Sequence, residues 1–137
     1  MIDQRRLHPI LDSQLARWLA VAGWMALIFF LSSQSRLPSA EDPLLDLLFK
    51  KSAHFSGYAL LAVLFWRALH VSQWHRQLAW LLTVVYASSD EWHQSFVPGR
   101  HPSPWDVLID ACGAAAGLLV AWLLLRRARA TNAQMKV

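Results

Sequence analysis

Polar side chains gather at matching ends of four apolar segments in this sequence. Serines and an amide follow the first segment, lysines and a histidine open the second, carboxylates close the third, and a carboxylate opens the fourth. These groups are residues 32–35, Lys50, Lys51, His54, residues 88–94 and Asp106. In a bundle whose helices alternate in direction, the four ends lie on one face. Ionisable groups at membrane depth are costly, so their convergence predicts a functional site.

Helical spacing places several of these side chains on shared faces. Lys51, His54 and Tyr58 follow the spacing i, i+3, i+7, and Asp106 and Asp110 follow i, i+4. Residues three or four apart lie next to each other on a helix, so each set is expected to face one direction. Gly113 and Gly117 share the face of the two aspartates, and their Gly-x-x-x-Gly spacing lets a neighbouring helix approach closely. We therefore expect the two aspartates to point into the bundle rather than at lipid.

The third segment ends in two adjacent carboxylates. Asp90 and Glu91 point about 100° apart on a helix, so they cannot easily act on one atom together. Gln94 lies four residues after Asp90 and three after Glu91. Glu91 with Gln94 is the pair that we expect to face one site.

This mixture of cations and carboxylates suits a phosphate-bearing ligand. Lys51, Arg100 and His54 would hold phosphate, since Arg offers a planar fork and Lys a compact charge. Carboxylates of the third and fourth segments would act as a general base or hold a divalent cation. The candidate catalytic residues are Glu91, Asp90, His54 and Asp106, and the candidate substrate-binding residues are Lys51, Tyr58, Gln94, Arg100 and Asp110.

Two other interpretations of the same residues stay open. In the first, the charges form a structural network in a non-enzymatic envelope binding or assembly protein. Loss of one partner of a buried pair would then cause misfolding rather than selective loss of activity. In the second, Asp110 and Tyr58 move protons or ions, although the other half of the bundle offers no relay.

Several other kinds of site lack their sequence motifs. There is no His-Glu-x-x-His, no Cys-x-x-Cys and no Gly-x-Ser-x-Gly, so neither a zinc site nor a serine nucleophile is predicted, and no residue is assigned as a metal ligand. The single cysteine, Cys112, is expected to pack inside the fourth segment. The sequence does not identify a cofactor.

Four helices must position the site. Apolar residues make up 55% of the 137, and charged residues make up 16%, against roughly 25% in soluble proteins. The segments are Leu15–Leu31, Lys51–Leu69, Gln77–Gln94 and Asp106–Leu125, each near the roughly 20 residues that span a bilayer. We therefore predict an all-α, up-down bundle of four transmembrane helices. No small-residue cleavage site follows the first segment, so we expect a retained anchor rather than a signal peptide.

The remaining parts of the chain complete this prediction. Residues 43–49 are apolar but too short to span, and they predict a short interfacial helix or a lid between the first two spans. Residues 1–14 are expected to be a cytoplasmic N-terminal tail. Residues 126–137 are expected to be a basic cytoplasmic C-terminal tail. The transmembrane domain then covers residues 15–125.

Charge predicts the orientation. With four spans, nine of the 13 Lys and Arg residues lie on the side of the termini, and seven of the nine carboxylates lie on the other side. The positive-inside rule then places both termini in the cytoplasm of a bacterial inner-membrane protein. The net charge of +4 is explained by this topology and by anionic lipid, so no nucleic-acid partner is predicted.

The order of these motifs resembles the VanZ-like family of small bacterial membrane proteins. The residues that carry the resemblance are Phe30-Leu31-Ser32-Ser33-Gln34-Ser35, Lys51-x-x-His54-x-x-x-Tyr58, Tyr86-Ala87-x-x-Asp90-Glu91-x-x-Gln94-x-Phe96-x-Pro98-Gly99-Arg100, Ser103, Asp106, Asp110, Gly113 and Gly117. The resemblance covers about residues 15–125. Position 110 is often Asn in this family, whereas here it is Asp. The family has four or five spans, no settled reaction, and a name taken from a protein linked to low-level teicoplanin resistance.

The resemblance and the polar residues together predict one kind of function. The site lies on the outer membrane face and binds or processes an anionic lipid or a lipid-linked cell-envelope precursor. The expected partner is therefore a membrane lipid, anionic or polyprenyl-linked.

Overall fold

The structure is a computed structural model, and it describes residues 13–35 and 42–135. This part of the chain forms four α-helices and no strand. They are α1 (Gln14–Ser32), α2 (Pro43–Ala68), α3 (Gln73–Gln94) and α4 (Pro104–Gln134). The predicted all-α fold with four helices is confirmed. Most of the predicted N-terminal tail lies outside the described residues.

Each helix begins where the sequence supplies a cap. A Ser or Asp side chain accepts a backbone N–H of the first turn at Ser13, Asp42, Ser72 and Ser103. Such caps pair N–H groups that have no partner inside the helix. Pro43 and Pro104 begin α2 and α4, where a missing N–H costs nothing.

The predicted short interfacial helix is not a separate element, and this expectation was wrong. Residues 43–49 form the first two turns of α2. No Gly or Pro separates them from the residues that follow, and Lys50 Nζ pairs with Asp46 Oδ2 across one turn at 2.7 Å. Residues 36–41, which connect α1 to this segment, lie outside the described residues.

Helix α4 is longer than the predicted fourth segment. It continues beyond Leu125 to Gln134 because residues 126–134 contain neither Gly nor Pro. Most of the predicted C-terminal tail is therefore helical, and residues 136–137 lie outside the described part of the chain.

Helix α2 lies at the centre of the bundle and packs against the other three helices, most extensively against α4. The two run parallel, with Gly113 against Phe55 and Gly117 against Ala59. A Cβ atom at Gly113 would lie 2.2 Å from the Phe55 carbonyl oxygen. The close approach expected from the Gly-x-x-x-Gly spacing is confirmed.

Two of the four described helices, α1 and α4, are long and apolar enough to cross a membrane. The sequences of α2 and α3 carry charged residues, including Lys51, Asp90 and Glu91. Cys112 is exposed on α4, so the expectation that it packs inside the bundle was wrong. Its neighbour Gly113 occupies the face that contacts α2, and adjacent helical positions point about 100° apart.

Candidate functional site

Asp90 lies at the centre of a buried hydrogen-bond network that joins three helices. Its Oδ2 accepts hydrogen bonds from Ser32 Oγ of α1 at 2.7 Å and from Tyr58 OH of α2 at 3.0 Å. Gln94 Nε2, one turn further along α3, donates to the same oxygen at 3.0 Å. The Asp90 side chain is buried, with 3% of the residue exposed. We call these four residues the Asp90 network.

The Asp90 network explains how a carboxylate is kept inside an apolar bundle. Asp90 lies one turn before the end of α3, on the side of the helix that carries the negative end of its dipole. Three donors compensate for the loss of water and for this dipole. The other carboxylate oxygen, Oδ1, is buried and has no hydrogen-bond partner among the described residues.

Two pairs of charged groups connect the parallel helices α2 and α4. Lys51 Nζ forms an ion pair with Asp106 Oδ1. One turn deeper, His54 Nδ1 lies 3.3 Å from Asp110 Oδ1, although the two groups are not aligned as a hydrogen bond. Asp110 is almost fully buried, with 1% of the residue exposed. The two predicted faces therefore meet each other, at the end of the α2–α4 interface that precedes the glycine contacts.

Glu91 belongs to a different contact from the one that the sequence predicts. Its Oε1 accepts a hydrogen bond from the backbone N–H of Ser103, the residue that caps α4. Gln94 instead donates to Asp90 and, at 3.4 Å, to Ser32 Oγ. The two residues that were expected to face one site therefore have different hydrogen-bond partners. Gln94 lies four residues after Asp90 and three after Glu91, and both spacings permit a contact on a helix. In the structure, Gln94 makes the contact with Asp90.

We expect Glu91→Gln to fold almost as well as the wild type and Glu91→Ala to lose about 1–3 kcal/mol of stability. The glutamine retains an oxygen that can accept the Ser103 N–H, whereas alanine leaves this half-buried donor without its partner. Thermal unfolding in detergent, followed by circular dichroism, measures the difference. Equal losses in the two variants would show that the carboxylate charge, not the hydrogen bond, matters at this position.

Arg100 fastens the loop between α3 and α4 to the end of α1. Its Nε donates to the carbonyl oxygen of Gln34 at 3.1 Å, and its Nη2 donates to that of Leu31 at 2.9 Å. Carbonyl groups at a helix C-terminus lack partners within the helix, so the guanidinium satisfies them. Gly99, with φ of 83°, forms the preceding turn. The Nη1 group has no hydrogen-bond partner among the described residues.

A cavity of about 180 Å³ opens at this end of the bundle. Its lining comes from the first half of α2, the loop after α3, the end of α3 and the start of α4. The lining residues are Leu47, Lys50, Lys51, His54, Gln94, Gly99, Arg100, His101 and Asp106. Five of the nine are basic and one is acidic, so the cavity favours an anion. We call it the polar cavity.

The structure divides the predicted site residues into two groups. Lys51, His54, Gln94, Arg100 and Asp106 line the polar cavity, and the other four, Tyr58, Asp90, Glu91 and Asp110, do not. Tyr58 and Asp110 are 1% exposed. The cavity therefore has a lining that a ligand can reach and buried neighbours that hold the helices in place.

Four residues that contribute to these contacts were not among the nine candidate site residues. Lys50 and His101 line the polar cavity, and Ser32 and Ser103 donate hydrogen bonds to Asp90 and Glu91. Lys50 and His101 each adjoin a selected residue, so proximity in sequence was the available signal. Ser32 is the last residue of an apolar helix, so its hydroxyl did not stand out as a partner for a buried carboxylate. Ser103 contacts Glu91 through its backbone N–H, which the sequence does not distinguish from that of any other residue.

Among residues 13–35 and 42–135, no three His, Cys, Asp or Glu side chains are arranged to hold a metal ion. His93 does not line the polar cavity; the centre of its ring lies 4.4 Å from the centre of the Phe29 ring of α1.

Comparison of the sequence with models of known families identifies the family of this chain. The sequence model of the VanZ/LLP1 family matches residues 17–125, which is well over half of the chain. Comparisons with curated proteins and with solved structures found no match. The family match and the two long apolar helices together indicate a membrane protein. With its motifs in order and the match spanning all four helices, the chain belongs to the VanZ/LLP1 family.

Proposed function

We propose that all four helices cross the bacterial inner membrane, with both termini in the cytoplasm. The distribution of side chains supports this proposal, because α2 and α3 turn charged groups such as Asp90 inward and large apolar groups outward. Exposed apolar side chains occur on every helix, including Leu19, Phe30, Phe55, Leu60, Leu81, Val85, Leu119 and Leu124. A soluble monomer rarely exposes an apolar surface of this extent.

The polar cavity, in this proposal, binds the anionic head group of a lipid or of a lipid-linked cell-envelope precursor. The observation that carries the proposal is the excess of basic over acidic groups in its lining. The first turns of α2 supply a neighbouring apolar surface, where Leu44, Leu48 and Phe49 are each more than half exposed. A ligand with a charged head and an apolar chain matches this combination of surfaces.

The individual contacts suggest how an anionic head group would be held. Arg100 keeps its Nη1 group available, and the exposed ring of His101 has no partner among the described residues. Lys51 already pairs with Asp106, so a bound phosphate would share this lysine with the carboxylate. Asp106 is the carboxylate in the lining and therefore the group placed to accept a proton from a bound substrate.

A non-enzymatic role in envelope binding or assembly is the second candidate function. It is favoured by the fact that several charged groups already have partners within the protein. Asp90 accepts three hydrogen bonds, Arg100 binds two carbonyl groups of the α1 terminus, and Glu91 binds the α4 cap. In this case the charges fix helix order, and their removal would affect folding first.

Native mass spectrometry of the full chain in detergent tests the ligand proposal. The probes are phosphatidylglycerol and a polyprenyl phosphate, each against zwitterionic phosphatidylcholine. We expect Lys50→Gln/His101→Gln to retain either probe about five- to tenfold less than the wild type, because two basic lining groups are lost. Neither residue forms a hydrogen bond or ion pair with another helix among the described residues, so folding should persist.

Arg127→Gln is the matched control, since it removes one basic group that does not line the polar cavity. This variant should retain the probes like the wild type. If wild type, double variant and control all carry the same lipids in the same amounts, the polar cavity is not a lipid site. The structural role would then account for the charged residues.

A further inference from the structure

A second cavity, of about 170 Å³, lies at the opposite end of the bundle. It is formed by the turn between α2 and α3, the first turn of α3 and the last part of α4. Three arginines, Arg76, Arg126 and Arg129, contribute to its lining together with Trp66 and Trp122. We call it the arginine cavity.

Helical spacing brings the arginines to one wall. Trp122, Arg126 and Arg129 follow the spacing i, i+4, i+7, so they share one face of α4. Arg76 reaches the same place from the first turn of α3. Its guanidinium carbon lies 5.2 Å from the centre of the Trp122 ring, and that of Arg126 lies 4.7 Å from it. One indole therefore holds two like charges near each other.

No carboxylate balances these charges in the part of the chain that the structure describes. None of the three arginines has an ion-pair partner among those residues. The carboxylates of residues 13–35 and 42–135 all lie at the other end of the helices, and they are Asp42, Asp46, Asp90, Glu91, Asp106 and Asp110. Like charges held close together repel each other unless an anion lies between them.

The backbone that forms the rim of the cavity adopts an unusual conformation. His70 and Val71 both have positive φ angles, of 70° and 46°, which are rare for residues other than glycine and costly for a β-branched one. The Val71 N–H bonds the Trp66 carbonyl oxygen at 3.1 Å, and the Trp66 indole donates to Ser72 O at 2.9 Å. This turn sets Gln73, the first residue of α3, at the cavity, where the helix dipole adds positive potential.

We propose that the arginine cavity is a second anion site, which takes a phosphate group between Arg76, Arg126 and Arg129. Arginine suits this role because its planar fork matches phosphate oxygens with two parallel hydrogen bonds. The Trp122 ring orients the guanidiniums, so less rotamer entropy is lost on binding. The phosphate is either that of a lipid head group or a soluble phosphate, and the site recognises the chemistry that the two share.

Native mass spectrometry of the full chain, carried out with phosphatidylglycerol and with inorganic phosphate as separate probes, tests this site. We expect the wild type to retain phosphatidylglycerol in preference to phosphatidylcholine. Arg126→Gln should retain it about five- to tenfold less, and Arg76→Gln, on another helix, should show the same loss. Two variants keep the test decisive if one of them fails to fold.

Arg127→Gln is again the matched control, because it removes the same charge from the adjacent position outside the cavity. It should bind within about twofold of the wild type, since its side chain points about 100° away from that of Arg126 and a screened charge outside the cavity contributes only weakly. The Lys50→Gln/His101→Gln variant separates the two cavities, because native mass spectrometry counts the lipids bound to each protein molecule. Each five- to tenfold loss applies to the lipid at one cavity, so this variant should keep the lipid at the arginine cavity, and Arg126→Gln should keep the lipid at the polar cavity.

The probes also distinguish the two sources of phosphate. Binding of phosphatidylglycerol that excess inorganic phosphate does not displace supports a lipid head group. Binding of inorganic phosphate that Arg126→Gln abolishes supports a soluble phosphate. An equal loss in Arg126→Gln and Arg127→Gln, or no binding of either probe by the wild type, would overturn the proposal in favour of general surface charge.

Discussion

Gly113→Ala is expected to prevent stable packing of α2 against α4, with a loss of more than about 3 kcal/mol. The added methyl group would lie 2.2 Å from the carbonyl oxygen of Phe55 and 2.9 Å from its carbonyl carbon. These are backbone atoms of a continuous helix, so no side-chain rotation can relieve the overlap. Since total stabilities are about 5–15 kcal/mol, we expect little folded protein. Thermal unfolding in detergent and the yield of monodisperse protein measure the effect.

Gly57→Ala provides the matched control on the partner helix. No atom lies within 4 Å of a Cβ built at Gly57, so this substitution should leave stability unchanged or raise it by up to about 1 kcal/mol through helix propensity. If Gly113→Ala unfolds at the same temperature as Gly57→Ala, the helices are not in backbone contact. The parallel register of α2 and α4 would then have to be revised.

The glycine contact shows which parts of the fold can be predicted from the sequence. The spacing of Gly113 and Gly117 predicts a close helix contact, because only small residues permit one, but it does not name the partner. The polar faces supply that missing information, since Lys51 and Asp106 are complementary and Asp106 lies two turns before Gly113 on the same face. The periodicity of each helix thus shows which residues share a face, and the complementary charges show which two helix faces contact each other.

Helix boundaries were predicted less well, for a physical reason. Residues 43–49 have the length and composition of a separate interfacial helix, yet they continue into α2 because nothing in the backbone interrupts them. Likewise, the end of the apolar stretch at Leu125 does not end α4. Hydrophobicity reports where a helix meets lipid, whereas Gly, Pro and capping residues determine where it begins and ends.

The candidate site was predicted at the level of residue types, but less well in its pairings. Glu91 and Gln94 were expected to face one site, but in the structure the Gln94 amide donates its hydrogen bond to Asp90. Both pairings satisfy helical spacing, and the choice depends on which direction the end of α3 faces in the bundle. The hydrogen bonds from Arg100 to backbone carbonyl groups could not be predicted from the sequence either. Every residue carries such a carbonyl, and the sequence does not distinguish one from another.

Asp90→Ala is the second substitution for which we expect a large effect, a loss of about 3–5 kcal/mol. It leaves the Tyr58 hydroxyl without its acceptor in the bundle interior, and it leaves Ser32 and Gln94 only their contact with each other at 3.4 Å. Each buried polar group without a partner costs about 1–3 kcal/mol. Denaturation of the purified protein in mixed micelles measures the loss.

Asp90→Asn separates the shape of this side chain from its charge. The amide keeps an acceptor oxygen in the same place, so we expect a smaller loss of about 1–2 kcal/mol. A double-mutant cycle of Asp90→Ala with Tyr58→Phe should give a coupling energy of about 1–3 kcal/mol, because the two groups share a 3.0 Å hydrogen bond. A coupling near zero would mean that the two side chains do not interact in the folded protein.

The outcome for Asp90 bears on the two candidate functions. A large stability loss on Asp90→Ala, with lipid retention unchanged in the folded Asp90→Asn variant, assigns this carboxylate to the scaffold that holds α1, α2 and α3. If the Asp90→Ala variant were instead as stable as the wild type, the buried carboxylate of the wild type would have no structural role. Because burial of a charge is costly, such a group is maintained for binding or for proton transfer. The Asp90 network would then belong to the functional site, as an extension of the polar cavity into the bundle.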